Sequence, residues 1–208
     1  MTNPPSRFWD RLAEKYARQP IADEDSYRRK LQITRQYLRP DMELLEFGCG
    51  TGSTAITHAP HVRHITAIDI SGKMLDIARA RAAAAGVTNI TFEQAAIDDY
   101  PAAQSSHDMI LGLSILHLVA DRNAVIARVH QMLKPGGLFV SSTACIGDTA
   151  AFFKFIGPIG KALGFFPLLR VFTRNELVAT ITGAGFEIIE NWQPAKDKAV
   201  FIVAKKAA

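Results

Sequence analysis

The sequence predicts an α/β fold with a seven-stranded, mostly parallel sheet, helices on both faces and a C-terminal antiparallel hairpin. Short apolar runs alternate with helical patterns along the 208 residues, which is typical of βαβ units in a parallel sheet. The first apolar run leads into a glycine-rich turn that begins a helix. The last two runs are joined by a polar stretch without a helical pattern, so they predict a hairpin. We expect one domain over residues 1–208.

Two helices are predicted before the first strand. Phe8, Leu12 and Tyr16 recur at helical spacing, and a second helix is expected over residues 23–38. Together they predict an N-terminal helical cap over residues 1–40.

Strands and helices then alternate, and each helix has a start signal. Ser71, Asp121 and Thr173 are N-cap candidates for three of these helices. The predicted strands occupy residues 44–47, 64–69, 90–92, 109–113, 138–140, 186–189 and 200–203. A turn at residues 135–137 is expected to lead into the fifth strand.

The glycine turn after the first strand is the strongest functional signal in the sequence. Gly48, Gly50 and Gly52 can adopt positive φ and carry no Cβ that would hold a ligand away. The third glycine follows the second by two positions, whereas a nicotinamide fingerprint has three. Glu46 would repel a pyrophosphate and suits a ligand with a cationic end, such as an amino acid. The turn therefore predicts a nucleoside site that differs from a dinucleotide site.

Asp69 ends the second strand, and a carboxylate there can accept two hydrogen bonds from ribose hydroxyls. It could alternatively cap the next helix, although Ser71 is better placed for that. Gly48, Asp69 and Leu113 all follow carboxyl ends of predicted parallel strands, which is where such sheets bind ligands. We therefore expect these residues to lie close together.

These motifs resemble the class I S-adenosylmethionine-dependent methyltransferases. Residues 46–52 resemble motif I, residues 64–71 resemble motif II with Asp69 at the ribose position, and residues 133–137 resemble the turn before the fifth strand. The resemblance extends over roughly residues 44–140. It implies a Rossmann-like fold, S-adenosyl-L-methionine as cofactor, and methyl transfer to a small, apolar or aromatic acceptor.

The resemblance also implies a set of cofactor-binding residues. The family usually carries an aspartate for the adenine amino group where this chain has Ala96. Asp98 could supply that carboxylate or cap a helix in solvent, and Met74 could contact the adenine or belong to the core. The predicted cofactor residues are Glu46, Gly48, Cys49, Gly50, Gly52, Asp69, Ile70, Met74, Ile97, Asp98 and Leu113.

Acceptor residues are predicted after the fourth strand and on the N-terminal helices. His117 resembles a histidine near the active site of many small-molecule methyltransferases, so it is either a general base or a packed histidine. Ser114, Tyr16 and Tyr27 are further candidates, with aromatic packing as the alternative for both tyrosines. The Asn/Asp-Pro-Pro-aromatic and Pro-Cys motifs of base-modifying enzymes are absent, which argues against nucleic acid as substrate.

An apolar segment at residues 145–172 predicts a lid or substrate insertion, with Phe152 and Phe153 as substrate candidates. A membrane-surface segment and a dimer interface are the alternatives, so a monomer and a homodimer both stay open. Two other functions are therefore considered. One is a lipid or quinone methyltransferase with peripheral membrane contact, and the other is a cofactor-binding regulatory or partner subunit.

Composition limits the remaining classes. The net charge of +4 arises from 24 basic and 20 acidic residues, which fits a solvated surface better than a nucleic-acid patch. Cys49 lies within the glycine turn and Cys145 is the only other cysteine, which fits a reducing cytosol and a cytoplasmic protein. His58, His61 and His64 are spaced by three but fall on different predicted elements, so no metal site is expected.

Overall fold

The computed structural model of the protein describes residues 4–101, 103–149 and 169–208. The chain divides into two compact units, Met1–Pro101 and Ala102–Ala208. We call these the N-terminal unit and the C-terminal unit and describe each by itself. The prediction of one domain stays a prediction.

The N-terminal unit alternates helices with three strands. The second helix begins where Asp23 accepts a hydrogen bond from the backbone of Ser26, but it ends earlier than predicted because its last turn tightens to i→i+3 hydrogen bonds. The elements are α1 (Pro4–Arg18), α2 (Glu24–Arg35), β1 (Glu43–Phe47), α3 (Ser53–His58), a 3-10 turn (Ala59–His61), β2 (His64–Asp69), α4 (Gly72–Ala84) and β3 (Ile90–Gln94).

Strands β1, β2 and β3 are parallel, and their register brings the predicted ligand residues together. Leu44 pairs with Ile65, and Phe47 pairs with Ile68 at the carboxyl ends of β1 and β2. The glycine turn after β1 and Asp69 at the end of β2 are therefore neighbours. The apolar side chains of β1 are buried, as expected for a parallel strand covered on both faces.

The C-terminal unit contains the remaining strands and helices. Thr173 begins its last helix with a capping box to Glu176, which confirms the predicted N-cap. The elements are β4 (His107–Leu113), α5 (Arg122–Met132), β5 (Leu133–Thr143), a 3-10 turn (Ile146–Asp148), α6 (Arg174–Gly183), β6 (Phe186–Trp192) and β7 (Val200–Lys206).

Strand β5 begins earlier than the sequence predicts. His107 pairs with Leu133 and Met109 pairs with Leu138, so residues 134–137 form a bulge within the strand. The predicted Pro-Gly-Gly turn is this bulge. Local turn signals could not show that the chain pairs with β4 both before and after this bulge.

The strand order across the seven-stranded sheet is β3-β2-β1-β4-β5-β7-β6. Strand β7 is antiparallel to both β5 and β6, so the C-terminal hairpin is confirmed. The Rossmann-like α/β fold predicted from the sequence is thereby confirmed. In the described ranges, no helix has the length and apolar character needed to cross a membrane.

Candidate functional site

The glycine turn has the backbone conformation that the sequence predicts. Gly48, Gly50 and Gly52 have φ angles of 65°, 54° and 77°, which L side chains rarely adopt. A Cβ on Gly52 would lie 2.9 Å from Cβ of Ala78 and 3.3 Å from the ring of Phe92, so Gly52 also permits α4 to pack closely. The Gly50 side of the turn is more open, since a Cβ there would meet only the Tyr16 ring, at 4.0 Å, among the described residues.

Asp69 is held by backbone donors from two directions. Its Oδ2 accepts a hydrogen bond from the Gly50 amide at 2.9 Å, and its Oδ1 accepts one from the Ser71 amide at 2.8 Å. Burial raises the pKa of Asp69, whereas these hydrogen bonds, with one from the Ile70 amide, act to lower it. A carboxylate offers about four lone-pair sites, so Asp69 keeps capacity to accept a ligand hydroxyl.

Glu46 is the least satisfied acidic group of this site. Its side chain is buried at the end of β1 and accepts a hydrogen bond from the Ala55 amide. Within the described part of the chain, its Oε2 atom is buried without a hydrogen-bond partner. Burial, with the nearby charge of Asp69, raises the pKa of Glu46 to about 8. An ammonium group of a ligand would satisfy Oε2 and restore the charged form, so the site fits the amino-acid end of S-adenosylmethionine.

Cys49 lies within the turn as a buried thiol. Its Sγ is 3.9 Å from the Gly50 carbonyl oxygen, and burial with the charges of Glu46 and Asp69 raises its pKa. The thiol therefore stays protonated and is a poor nucleophile. Its amide donates to the Ile68 carbonyl at 3.1 Å, which fixes the turn to β2.

Two predicted tyrosines lie close to the turn. The Tyr16 ring borders Gly50, and Tyr16 as a residue is 50% exposed. The Tyr27 hydroxyl is 3.4 Å from Oγ1 of Thr54, and burial, with a smaller contribution from the charge of Glu46, raises the pKa of Tyr27. Their contact with a ligand stays a prediction.

The remaining N-terminal candidates differ in exposure. Met74 and Ile97 are buried, Ile70 is half-buried, and Asp98 is exposed after β3. The Met74 amide donates to Oγ of Ser71 at 3.2 Å, which confirms Ser71 as the N-cap of α4. Their adenine contacts stay predictions.

Two residues of the N-terminal unit contact this site and were missed from the sequence. Asp10 accepts hydrogen bonds from Oγ of Ser71 at 2.6 Å and from the Lys73 amide at 3.2 Å. Arg81 donates to Oγ1 of Thr51 in the glycine turn at 2.8 Å. Neither residue belongs to a local motif, and the partners of Asp10 are more than 60 positions away in the chain.

In the C-terminal unit, Leu113 ends β4 and is followed by a strained residue. Ser114 has a φ of 57°, and its amide donates to the Ser142 carbonyl at 2.6 Å. The carbonyl oxygen of His117 accepts a hydrogen bond from the Arg170 amide at 2.8 Å. Its Nδ1 is buried without a partner among the residues described, and burial lowers the pKa of His117 to about 4. A lowered pKa makes an imidazole a weaker general base at neutral pH, and whether His117 is a base or a packed histidine stays a prediction.

Three consecutive hydroxyl side chains end β5 next to this region. Ser141, Ser142 and Thr143 are buried, and no hydrogen bond is found for their hydroxyl oxygens within residues 4–101, 103–149 and 169–208. Their signal in the sequence is a run of hydroxyl residues at the carboxyl end of an apolar strand. Such a run is a weak signal, because strand ends are often polar.

The predicted substrate residues Phe152 and Phe153 lie outside the described residues, as does most of the predicted lid at residues 145–172. The two described ends of that segment are in contact near Gly147 and Phe172. The Gly147 amide donates to the Phe172 carbonyl at 2.9 Å, and a Cβ on Gly147 would lie 2.7 Å from the carbonyl carbon of Phe172.

The chain is similar to known methyltransferases. Residues 44–137 match the family model of a methyltransferase domain. A 27-O-demethylrifamycin SV methyltransferase from Amycolatopsis mediterranei is 37% identical over 159 residues, covering 72% of this chain and 56% of that protein. A demethylmenaquinone methyltransferase from Symbiobacterium thermophilum is 26% identical over 172 residues, covering 79% of this chain and 65% of that protein.

The solved structure of YcgJ from Bacillus subtilis has the same fold. It superposes with a TM-score of 0.72 at 18% identity, covering 87% of this chain and 99% of that one. Residues 44–137 therefore match a methyltransferase domain, and the chain is similar to class I S-adenosylmethionine-dependent methyltransferases. It spans about half the length of most of the curated relatives it matches.

Proposed function

We propose that this protein transfers a methyl group from S-adenosylmethionine to a small, apolar or aromatic acceptor. The observation that carries the proposal is the buried Oε2 atom of Glu46, which has no partner among the described residues beside a turn of three positive-φ glycines. A buried carboxylate oxygen without a partner is unfavourable unless a ligand satisfies it. The ammonium group of the cofactor supplies the missing partner.

Each residue of the N-terminal site has a distinct part in this function. S-adenosylmethionine brings a methyl group that its sulfonium already activates. Glu46 binds the ammonium group, Asp69 accepts hydrogen bonds from the ribose hydroxyls, and the open face of Gly50 lets the ligand approach the backbone. The chain thereby fixes the donor in one orientation, which is the main requirement for a direct methyl transfer.

An apolar or aromatic acceptor is supported by the sequence and by the relatives. The segment over residues 150–172 is dense in phenylalanine and leucine. Relatives of the chain are named for ubiquinone, demethylmenaquinone and rifamycin. Quinones and other ring compounds of low polarity are therefore the acceptors to test first. If the acceptor is a membrane quinone, the protein will float with liposomes that contain it.

The first experiment is calorimetry with S-adenosylmethionine and S-adenosylhomocysteine. We expect both to bind, and we expect Asp69→Ala to weaken binding on the order of 10- to 100-fold because its hydrogen bonds to the ribose are lost. Asp76→Ala is the matched control, since Asp76 is an exposed aspartate on α4 that pairs with Arg79. The proposal fails if neither ligand binds or if Asp69→Ala binds as tightly as wild type.

The second experiment measures S-adenosylhomocysteine production with a panel of quinones, phenols and other small acceptors. Turnover with one of them supports an enzyme with its own acceptor site. Cofactor binding without turnover on any acceptor would favour the regulatory or partner subunit instead.

A further inference from the structure

We propose that Arg81 is a positioning residue that holds the end of helix α1, and with it the Tyr16 ring, against the glycine turn. The inference rests on the proposed function, because its consequence is measured as affinity for the nucleoside cofactor. It concerns a residue that lies on α4, outside the motifs that mark the cofactor site.

The guanidinium group of Arg81 joins three segments of the N-terminal unit. Its Nη1 donates to Oγ1 of Thr51 at 2.8 Å and to Oγ of Ser53 at 3.3 Å. Its Nη2 donates to the carbonyl oxygen of Ala17 at 2.7 Å. Thr51 lies in the glycine turn, Ser53 begins α3, and Ala17 lies in the last turn of α1. A planar guanidinium can make these bonds at once, whereas the point charge of a lysine cannot.

A second attachment fixes the other part of α1. Oδ1 of Asp10 accepts hydrogen bonds from Oγ of Ser71 and from the Lys73 amide at the start of α4. Helix α1 is thus attached to the beginning of α4 through Asp10 and to its end through Arg81. Because the Asp10 attachment remains when Arg81 is removed, we expect the loss of Arg81 to release only the last turn of α1.

Tyr16 precedes the carbonyl that Arg81 binds, and its ring borders the open face of Gly50. The Gly50 amide also donates to Asp69, so the open face of Gly50 lies next to the carboxylate that we assign to the ribose. The Tyr16 ring is therefore a wall of the cofactor space. Since Tyr16 is 50% exposed, its own packing does not hold it firmly, and the bond from Arg81 to the Ala17 carbonyl supplies that restraint.

A double-mutant cycle with S-adenosylhomocysteine tests whether Arg81 acts through Tyr16. We expect Arg81→Ala and Tyr16→Ala each to raise the Kd about tenfold, and the double variant to be no weaker than the weaker single variant. Arg79→Ala is the matched control on the same helix, because Arg79 donates to the Phe92 carbonyl instead of the glycine turn. We expect its Kd to stay within about twofold of wild type. Additive losses in the cycle, or an unchanged Kd for Arg81→Ala, overturn the proposal.

Amide hydrogen exchange gives a readout that does not require cofactor binding. In Arg81→Ala, we expect faster exchange at residues 14–18 and unchanged exchange in α6, because only the end of α1 is released. If wild type fails to bind S-adenosylhomocysteine, the proposed function fails, while exchange still decides whether Arg81 restrains α1. If Arg81→Ala does not fold, Arg81→Lys replaces it, with an intermediate increase in both Kd and exchange expected. Exchange at residues 14–18 equal to wild type overturns the proposal.

Discussion

The carboxyl end of β1 and β2 and the carboxyl end of β4 and β5 both carry predicted functional residues, but they differ in how their polar atoms are paired. At the first, backbone amides donate to both oxygens of Asp69, and one oxygen of Glu46 is left for a ligand. At the second, the hydroxyl oxygens of residues 141–143 and Nδ1 of His117 lack partners among the described residues. The first region is organised by its own backbone in advance of any ligand.

This difference shows how the polar groups of each region are held in place. Backbone donors cannot be removed by a rotamer change, so Asp69 is held in one orientation. The glycine turn that supplies one donor lies directly after β1. The polar side chains at the carboxyl end of β4 and β5 have no comparable donors among the described residues. Five changes test this comparison, beginning with the largest expected effect.

Gly52→Ala tests whether the glycine turn of the first region requires a residue without a Cβ at position 52. A Cβ would be strained at a φ of 77° and would lie 2.9 Å from Cβ of Ala78. We expect a loss of about 3 to 4 kcal/mol in the free energy of unfolding, measured in urea. Gly86→Ala is the control, because Gly86 has a φ of 68° but no described atom within 4 Å of a Cβ. It should lose only about 1 kcal/mol, and equal losses for the two variants would contradict the packing argument.

His58→Leu tests a buried imidazole in the N-terminal unit. Burial, with the charges of His61 and Arg35, lowers the pKa of His58 from 6.5 to about 4. Between these pH values the unfolded chain therefore binds a proton at His58 that the folded chain does not. The stability linked to neutral His58 is fully present above pH 6.5 and is lost as the pH falls towards 4. We expect this acid-dependent loss to shrink by about 2 to 3 kcal/mol in the variant, measured by urea unfolding across this pH range.

His117→Leu makes the same measurement in the C-terminal unit, because burial also lowers the pKa of His117 to about 4. A similar flattening of the pH dependence supports a packed, neutral histidine there. Curves parallel to wild type for both variants would show that neither imidazole is buried in its neutral form.

Glu46→Gln tests whether the first region takes up the ammonium group of the cofactor. Because the pKa of Glu46 is raised to about 8, its carboxyl group is largely protonated at neutral pH and must release the proton to pair with a cation. Calorimetry in buffers of different ionisation enthalpy should detect this proton release in wild type and a smaller one in Glu46→Gln. We expect a loss of affinity of about tenfold in the variant. Equal proton release in both proteins would exclude this role for Glu46.

Thr173→Ala has the smallest expected effect and concerns the C-terminal unit alone. The Thr173 side chain accepts from the Glu176 amide at 3.2 Å and begins α6. Its loss should lower the free energy of unfolding by about 1 kcal/mol and leave cofactor affinity unchanged. Thr182→Ala, at an exposed site later in α6, should change stability by less than about 0.5 kcal/mol. A changed cofactor affinity in Thr173→Ala would show that the C-terminal unit contributes to the first region.

The positions of Glu46, the three glycines and Asp69 were determined by the sequence alone. These residues lie at the ends of two neighbouring parallel strands, so strand alternation and turn chemistry are enough to bring them together. The N-caps Ser71, Asp121 and Thr173 were also predictable, because a cap depends on residues two or three positions away.

The tertiary structure alone decided three other features. The bulge at residues 134–137 depends on the register with β4. Whether Oε2 of Glu46 is buried without a partner among the described residues depends on the surrounding packing, which the residue pattern along a strand does not reveal. Arg81 and Asp10 find partners more than 60 positions away in the chain, and such contacts form only when α1 packs on α4. Local rules therefore placed the glycine turn, whereas the packing that restrains it is a property of the folded chain.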